Sequence, residues 1–205
     1  MKKFIGLLLF AAAFAYIEAA VVVYLRLLFY PGKITGPLFP LNLQPSLAGY
    51  VELGRELATL ILLFSLSYLV ATSKEEFFAF FTFSFGSWDV LYYFWLKVLI
   101  NWPQSMGTWD VLFLLPVVWS SPWWCPVTVS LVMMSVAVIL LKEKRKLTKP
   151  GLSLYGVGAI LIFISFVWNA ETIMKGNVPV KFPYALLAAG ELLMLASLSA
   201  FKKSG

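Results

Sequence analysis

The sequence predicts an all-α fold: a polytopic transmembrane helix bundle of about six spans, with a short outer-face or re-entrant helix added to it. Three observations carry this expectation. Of 205 residues, 61% are hydrophobic and only 13% are charged, whereas a soluble domain carries about 25% charged residues. Apolar runs long enough to cross a bilayer recur along the chain. The basic residues gather between those runs, which is how topology determinants are placed. The formal charge of +6 therefore gives no reason to expect nucleic acid as a partner. The partners it implies are the lipid bilayer, a lipid-like small molecule and a membrane-protein partner. Residues 1–205 are read as a single transmembrane domain.

The elements follow in order. The first span is expected over 4–30. Residues 1–20, MKKFIGLLLFAAAFAYIEAA, imitate a signal peptide, with two lysines, an apolar stretch and then small residues. The apolar run continues to Tyr30, so the segment reads as a retained first helix. The linker 31–46 holds four prolines and two glycines, which exclude a regular helix throughout and place it at the membrane surface. Spans at 47–72 and 76–101 follow. Between Trp102 and Pro122 the chain stays apolar but is broken by Pro103, Pro116 and Pro122. Thr108 is a good N-cap, and Asp110 would fall in the first turn, where a carboxylate suits the helix dipole. Residues 109–119 are therefore predicted as a short helix on or dipping into the outer face, too short to cross. Three more spans are expected at 123–142, 152–169 and 183–201.

Orientation follows from Lys and Arg. With the N-terminus inside, ten fall in cytoplasmic segments, namely Lys2, Lys3, Lys74, Lys142, Lys144, Arg145, Lys146, Lys149, Lys202 and Lys203. Only Lys33, Lys175 and Lys181 fall on the opposite side. This predicts a multi-pass protein of the cell inner membrane with both termini cytoplasmic.

The cations Arg26, Arg55 and Lys97 and the acids Glu18, Glu52, Glu56, Asp89 and Glu191 lie inside predicted spans, where each costs roughly 2.5–3.5 kcal/mol at the bilayer centre unless it pairs or faces a wet cavity. Glu18 falls near the middle of the first span and Arg26 near its outer end, a position from which Arg26 would snorkel to headgroups. Glu52, Arg55 and Glu56 occupy the outer third of the second span and share one helical face at i, i+3 and i+4. Asp89 is central on the third span, with Tyr93 and Lys97 above it at i+4 and i+8. Trp88, Trp95 and Trp102 form a neighbouring aromatic stripe. Glu191 lies in the outer half of the sixth span, beside Gly190, which permits close helix approach. The common depth predicts an outward-facing polar pocket capped by 102–124. Its candidate catalytic residues are Asp89, Glu18 and Glu56. Its candidate substrate-binding residues are Glu52, Arg55, Trp88, Tyr92, Tyr93, Lys97 and Asp110.

The segment Gly86–Pro126 holds seven of the eight tryptophans, and Gly-Ser-Trp-Asp-Val-Leu at 86–91 returns as Gly-Thr-Trp-Asp-Val-Leu at 107–112. Its succession Trp88-Asp89, Tyr92-Tyr93, Leu96-Lys97, Trp102-Pro103, Trp109-Asp110, Leu112-Phe113-Leu114 and Pro116 resembles a set of small uncharacterised bacterial polytopic membrane proteins, a likeness that covers about a fifth of the chain and implies no function. Trp88-Asp89-Val90-Leu91-Tyr92 is also similar to the Trp-[Glu/Asp]-x-x-Tyr context of the integral-membrane terpene cyclases, which implies an intramembrane acid acting on an apolar substrate.

Three function classes fit these residues. The first is binding or acid-base chemistry on an apolar or lipid-like substrate, with carboxyls kept protonated near mid-membrane. The second is transport of a proton, ion or small solute. The third is a non-catalytic subunit or assembly factor of a larger membrane complex. The chain contains no histidine and a single cysteine, Cys125, so histidine-ligated metal, haem and disulfide chemistry are not expected. Cys125 reads as a small apolar residue at a helix start. No metal and no cofactor are predicted.

Overall fold

A computed structural model of the chain describes residues 2–29 and 47–203. The surface linker expected over 31–46, with Lys33, lies outside the described residues. The helices are α1 (Lys2–Phe29), α2 (Leu47–Val70), α3 (Lys74–Ile100), α4 (Trp124–Lys142), α5 (Lys149–Val167), α6 (Ala170–Met174) and α7 (Tyr184–Ala200). The strands are β1 (Trp109–Phe113), β2 (Trp119–Pro122), β3 (Arg145–Lys146) and β4 (Lys202–Lys203).

The fold is an all-α bundle, and its six long helices begin and end within three residues of the six apolar runs. Lys2–Leu28, Gly49–Val70, Trp124–Lys142 and Lys149–Met174 are long and apolar enough to cross a membrane. These helices mark a membrane-embedded protein. The other two differ in kind: α7 has 17 residues, and the 27-residue α3 carries Ser84, Ser87, Asp89, Tyr92 and Tyr93, which lower its hydropathy. The outward faces are apolar, with Leu9, Leu28, Val51 and Leu69 exposed, as lipid contact requires.

The hub is α3, which packs against α1, α2 and α4; α4 continues to α7, and α7 to α5. Small residues set the close crossings. A Cβ on Gly86 of α3 would lie 2.7 Å from the Ser130 carbonyl oxygen of α4, and a Cβ on Gly158 of α5 would lie 2.6 Å from the Gly190 carbonyl oxygen of α7. On its other side α3 presents the tryptophan stripe to α1. Trp95 donates its indole N–H to the Ala12 carbonyl at 2.9 Å, and the Trp88 ring faces Phe14.

Lys3, Arg145, Lys146, Lys202 and Lys203 share one end of the bundle. Lys3 pairs with Glu76 at 2.8 Å, where Ser73 caps α3 by accepting the Glu76 N–H. β3 and β4 form a two-residue clasp, Arg145 opposite Lys203 and Lys146 opposite Lys202. Thr148, which caps α5, donates to the Ala200 carbonyl at 2.7 Å. Leu7, Phe80, Leu140 and Phe201 fill the core beneath.

The short helix expected over 109–119 is absent. β1 and β2 form an antiparallel hairpin there, with Asp110 opposite Ser121, Val111 opposite Ser120 and a bulge before the Phe113–Trp119 pair. Thr108 is not a helix cap: its carbonyl accepts the Trp123 N–H, and its Oγ1 accepts the Ser105 N–H. Phe113 reaches Ala11, Leu63 and Trp88 at mid-length of α1, α2 and α3. The hairpin thus enters the bundle from the end opposite the lysine clasp. Its tip turns at a cis Leu115-Pro116 bond. The ladder pairs the facing backbone groups of the two strands, and Trp109, Asp110, Phe113, Ser120 and Ser121 are buried in the protein, the setting in which non-helical backbone is tolerated at membrane depth.

Candidate functional site

The charged and aromatic side chains form two linked groups around the hairpin. In the first, Arg55 contacts the Glu18 carboxylate and donates from Nε to Glu52 at 3.0 Å. The Thr59 hydroxyl donates to Glu18 at 3.1 Å. One guanidinium on α2 thus serves an acid on its own helix and an acid on α1. Glu56 shares the helical face and lies within electrostatic reach of Arg55, but its hydrogen bonds go to the hairpin. Both of its oxygens accept the Leu114 N–H, at 3.0 and 2.9 Å. Its carboxylate caps the hairpin tip.

In the second group Tyr93 donates its hydroxyl to Asp110 at 2.9 Å, and the other Asp110 oxygen accepts the Val111 N–H at 3.0 Å. Asp110 is not in a helix turn; it is 2% exposed, held by β1 against α3. The Arg26 guanidinium lies over the Trp102 ring, 5.4 Å from its centroid, and within electrostatic reach of Asp110. Arg26 therefore does not snorkel: it is 2% exposed, with the Trp102 ring against it. Tyr92 joins the two groups, being within electrostatic reach of Asp110, Arg26, Arg55 and Glu52. Asp89 accepts the Ser130 hydroxyl of α4 at 2.8 Å and is felt by Tyr93. Trp88 is buried between Phe14, Phe85 and Phe113.

Lys97 stands outside both groups. It is exposed and donates from Nζ to the Pro103 carbonyl at 3.0 Å. It sits at the mouth of a groove of about 480 Å³, with Gln104 beside it and a floor of Val90, Tyr93, Phe94 and Val127. The loop over the groove is fastened by the Trp123 indole N–H, which donates to the Ser105 carbonyl at 3.0 Å. Tyr93 is the shared residue: its ring walls the groove while its hydroxyl is bound to Asp110. Glu191 lies apart from all of these, near Cys125.

The expected site residues thus divide by role. Glu18, Glu52, Arg55 and Glu56 meet at the α1–α2–hairpin junction, and Tyr92, Tyr93 and Asp110 meet beside α3. Four participants lie outside the expected site set: Arg26, Thr59, Ser130 and the Leu114 amide. Among the described residues no three His, Cys, Asp or Glu side chains are grouped to hold a metal ion. The chain matches no protein-family model, no curated protein and no solved structure.

Proposed function

We propose that the chain is an integral protein of the cell inner membrane, both termini cytoplasmic, that binds an apolar or lipid-like ligand in the outer half of its bundle. The observation that carries this reading is the groove beside α3. Its volume of about 480 Å³ falls within the range of small-molecule sites, which are mostly apolar with a few placed polar groups. Val90, Phe94 and Val127 offer an apolar floor, and Lys97 and Gln104 a polar mouth. The gathering of the lysine-rich segments at the far end supports the orientation. Binding is favoured over acid-base chemistry because the carboxylates are already engaged: Glu18 and Glu52 by Arg55, Glu56 by the Leu114 amide, Asp110 by Tyr93 and Asp89 by Ser130.

Native mass spectrometry of the gently extracted protein tests the reading. Wild type should carry a lipid-like adduct. Val127→Trp, which fills the groove, should lose it, and Asp89→Asn should keep it. An adduct lost in Asp89→Asn and kept in Val127→Trp would move the site into the buried network. A protein-sized adduct in every sample would make the chain a subunit of a larger complex.

A further inference from the structure

We infer that the groove beside α3 selects an anionic membrane lipid, with its phosphate at Lys97 and Gln104 and an acyl chain along Val90, Phe94 and Val127. This rests on the lipid-binding reading above and names the ligand class.

The argument begins with charge accounting at this end of the bundle. Every carboxylate of the buried network is already engaged, Glu18 and Glu52 by the same Arg55 guanidinium. Lys97 forms no ion pair among the described residues. Its ammonium has three N–H groups, and the Pro103 carbonyl takes one. Two donors and a full charge remain at the groove mouth. Its surroundings are apolar: Phe94 is 52% exposed and Val98 59%. A cation in such a setting is poorly solvated, and an anionic group brought by a ligand supplies both the counter-charge and the acceptors. Gln104 adds an amide donor beside it. A soluble anion would match the lysine but leave the apolar floor bare. A neutral hydrocarbon would match the floor but leave the ammonium unpaired. A phospholipid with a net negative headgroup satisfies both, and it reaches the groove by lateral diffusion from the bilayer.

The test is lipid exchange in nanodiscs, read by native mass spectrometry. Phosphatidylglycerol and phosphatidylcholine with the same acyl chains compete for wild type, Lys97→Gln, Val127→Trp and Lys175→Gln. Wild type should retain the anionic lipid about tenfold better, equal to about 1.4 kcal/mol, because the choline ammonium of phosphatidylcholine opposes Lys97 and phosphatidylglycerol carries no such cation. Lys97→Gln should bring the ratio near one, chiefly through weaker retention of phosphatidylglycerol. Lys97→Arg should restore the preference. Val127→Trp should lose both lipids. Lys175→Gln, on exposed α6, should behave as wild type. A preference that survives in Lys97→Gln overturns the inference and leaves the lipid-binding reading intact. A wild type that retains neither lipid overturns both.

Discussion

Glu56 shows how a carboxylate inside an apolar bundle can serve the backbone. The hairpin turns at mid-depth, where no water is at hand for a free amide, and the two Glu56 oxygens accept the Leu114 N–H. Glu56→Ala should therefore destabilise the protein by about 1–3 kcal/mol, the cost of leaving a buried donor unsatisfied. Glu56→Gln, which keeps an acceptor, should cost less. Thermal unfolding in detergent checks both, and equal losses in the two variants would remove the capping role. Arg55 offers a second test. Arg55→Met leaves Glu18 and Glu52 without their cation, and removing one partner of a buried pair costs about 3–5 kcal/mol. Adding Glu18→Gln to Arg55→Met should recover part of that loss; a further drop in the double variant would show that Arg55 acts by packing alone. At this scale the sequence named the charged residues inside the spans and was silent about whom most of them meet. The i, i+3 spacing announces the Glu52–Arg55 pair. Nothing in the spacing separates Glu56 from that pair, because its partner is a backbone amide in another segment. Ser130 was equally hidden, one hydroxyl among several in a run whose rotation about its axis the sequence does not give.

Helices and strands differ in how well the pattern revealed them. The glycines were legible: Gly190 announced a close crossing, and its partner proved to be Gly158. Gly158→Ala should push α5 from α7 and cost about 1–3 kcal/mol, the usual range for overpacking. Gly156→Ala, where an added Cβ meets nothing within 4 Å, should instead stabilise α5 by about 0.5–1 kcal/mol. Chemical denaturation of the pair checks the contrast, and equal effects would refute the crossing. The hairpin was not legible. Short apolar runs do not distinguish helix from strand by periodicity, and Trp109 and Asp110 are both buried, so alternation fails. The available signal was the pair of short runs rich in Trp, Val and Phe on either side of Leu115-Pro116. The β3–β4 clasp is a third kind of element, a short backbone ladder that sets cations opposite one another and is helped by the neighbouring Glu143 carboxylate. Glu143 accepts from Arg145 and lies 3.5 Å from Lys203. The hydrogen bond from Arg145 holds its carboxyl below the usual value of 4.5. A depressed folded value means that the contribution is present above the unfolded pKa and is lost as pH falls through the folded one. The clasp should therefore open in acid, below pH 4.5. Hydrogen exchange at Arg145 and Lys146 measured against pH checks this, and protection that does not change across that range would count against it.

At the scale of the molecule, α3 carries the bundle because it is the least apolar of the long helices. Its Asp89 finds a partner on α4, its Tyr93 on the hairpin and its Trp95 on α1, while the more uniformly apolar helices face outward. The all-α class was legible because it depends only on recurring apolar runs. The internal arrangement was not, since it depends on which faces those polar residues seek. A chain so built should stay with the membrane fraction through an alkaline carbonate wash, and release into the supernatant would contradict the membrane reading. The seating of the hairpin carries a consequence for biosynthesis. Trp119 of β2 rests on Phe163 and Phe166 of α5, a helix that leaves the ribosome later. When the hairpin is first made, half of its socket does not yet exist. It must wait at the bilayer surface, or against a chaperone, until α5 has been inserted. Final assembly therefore runs backwards along the chain, with a late helix calling an earlier segment into place.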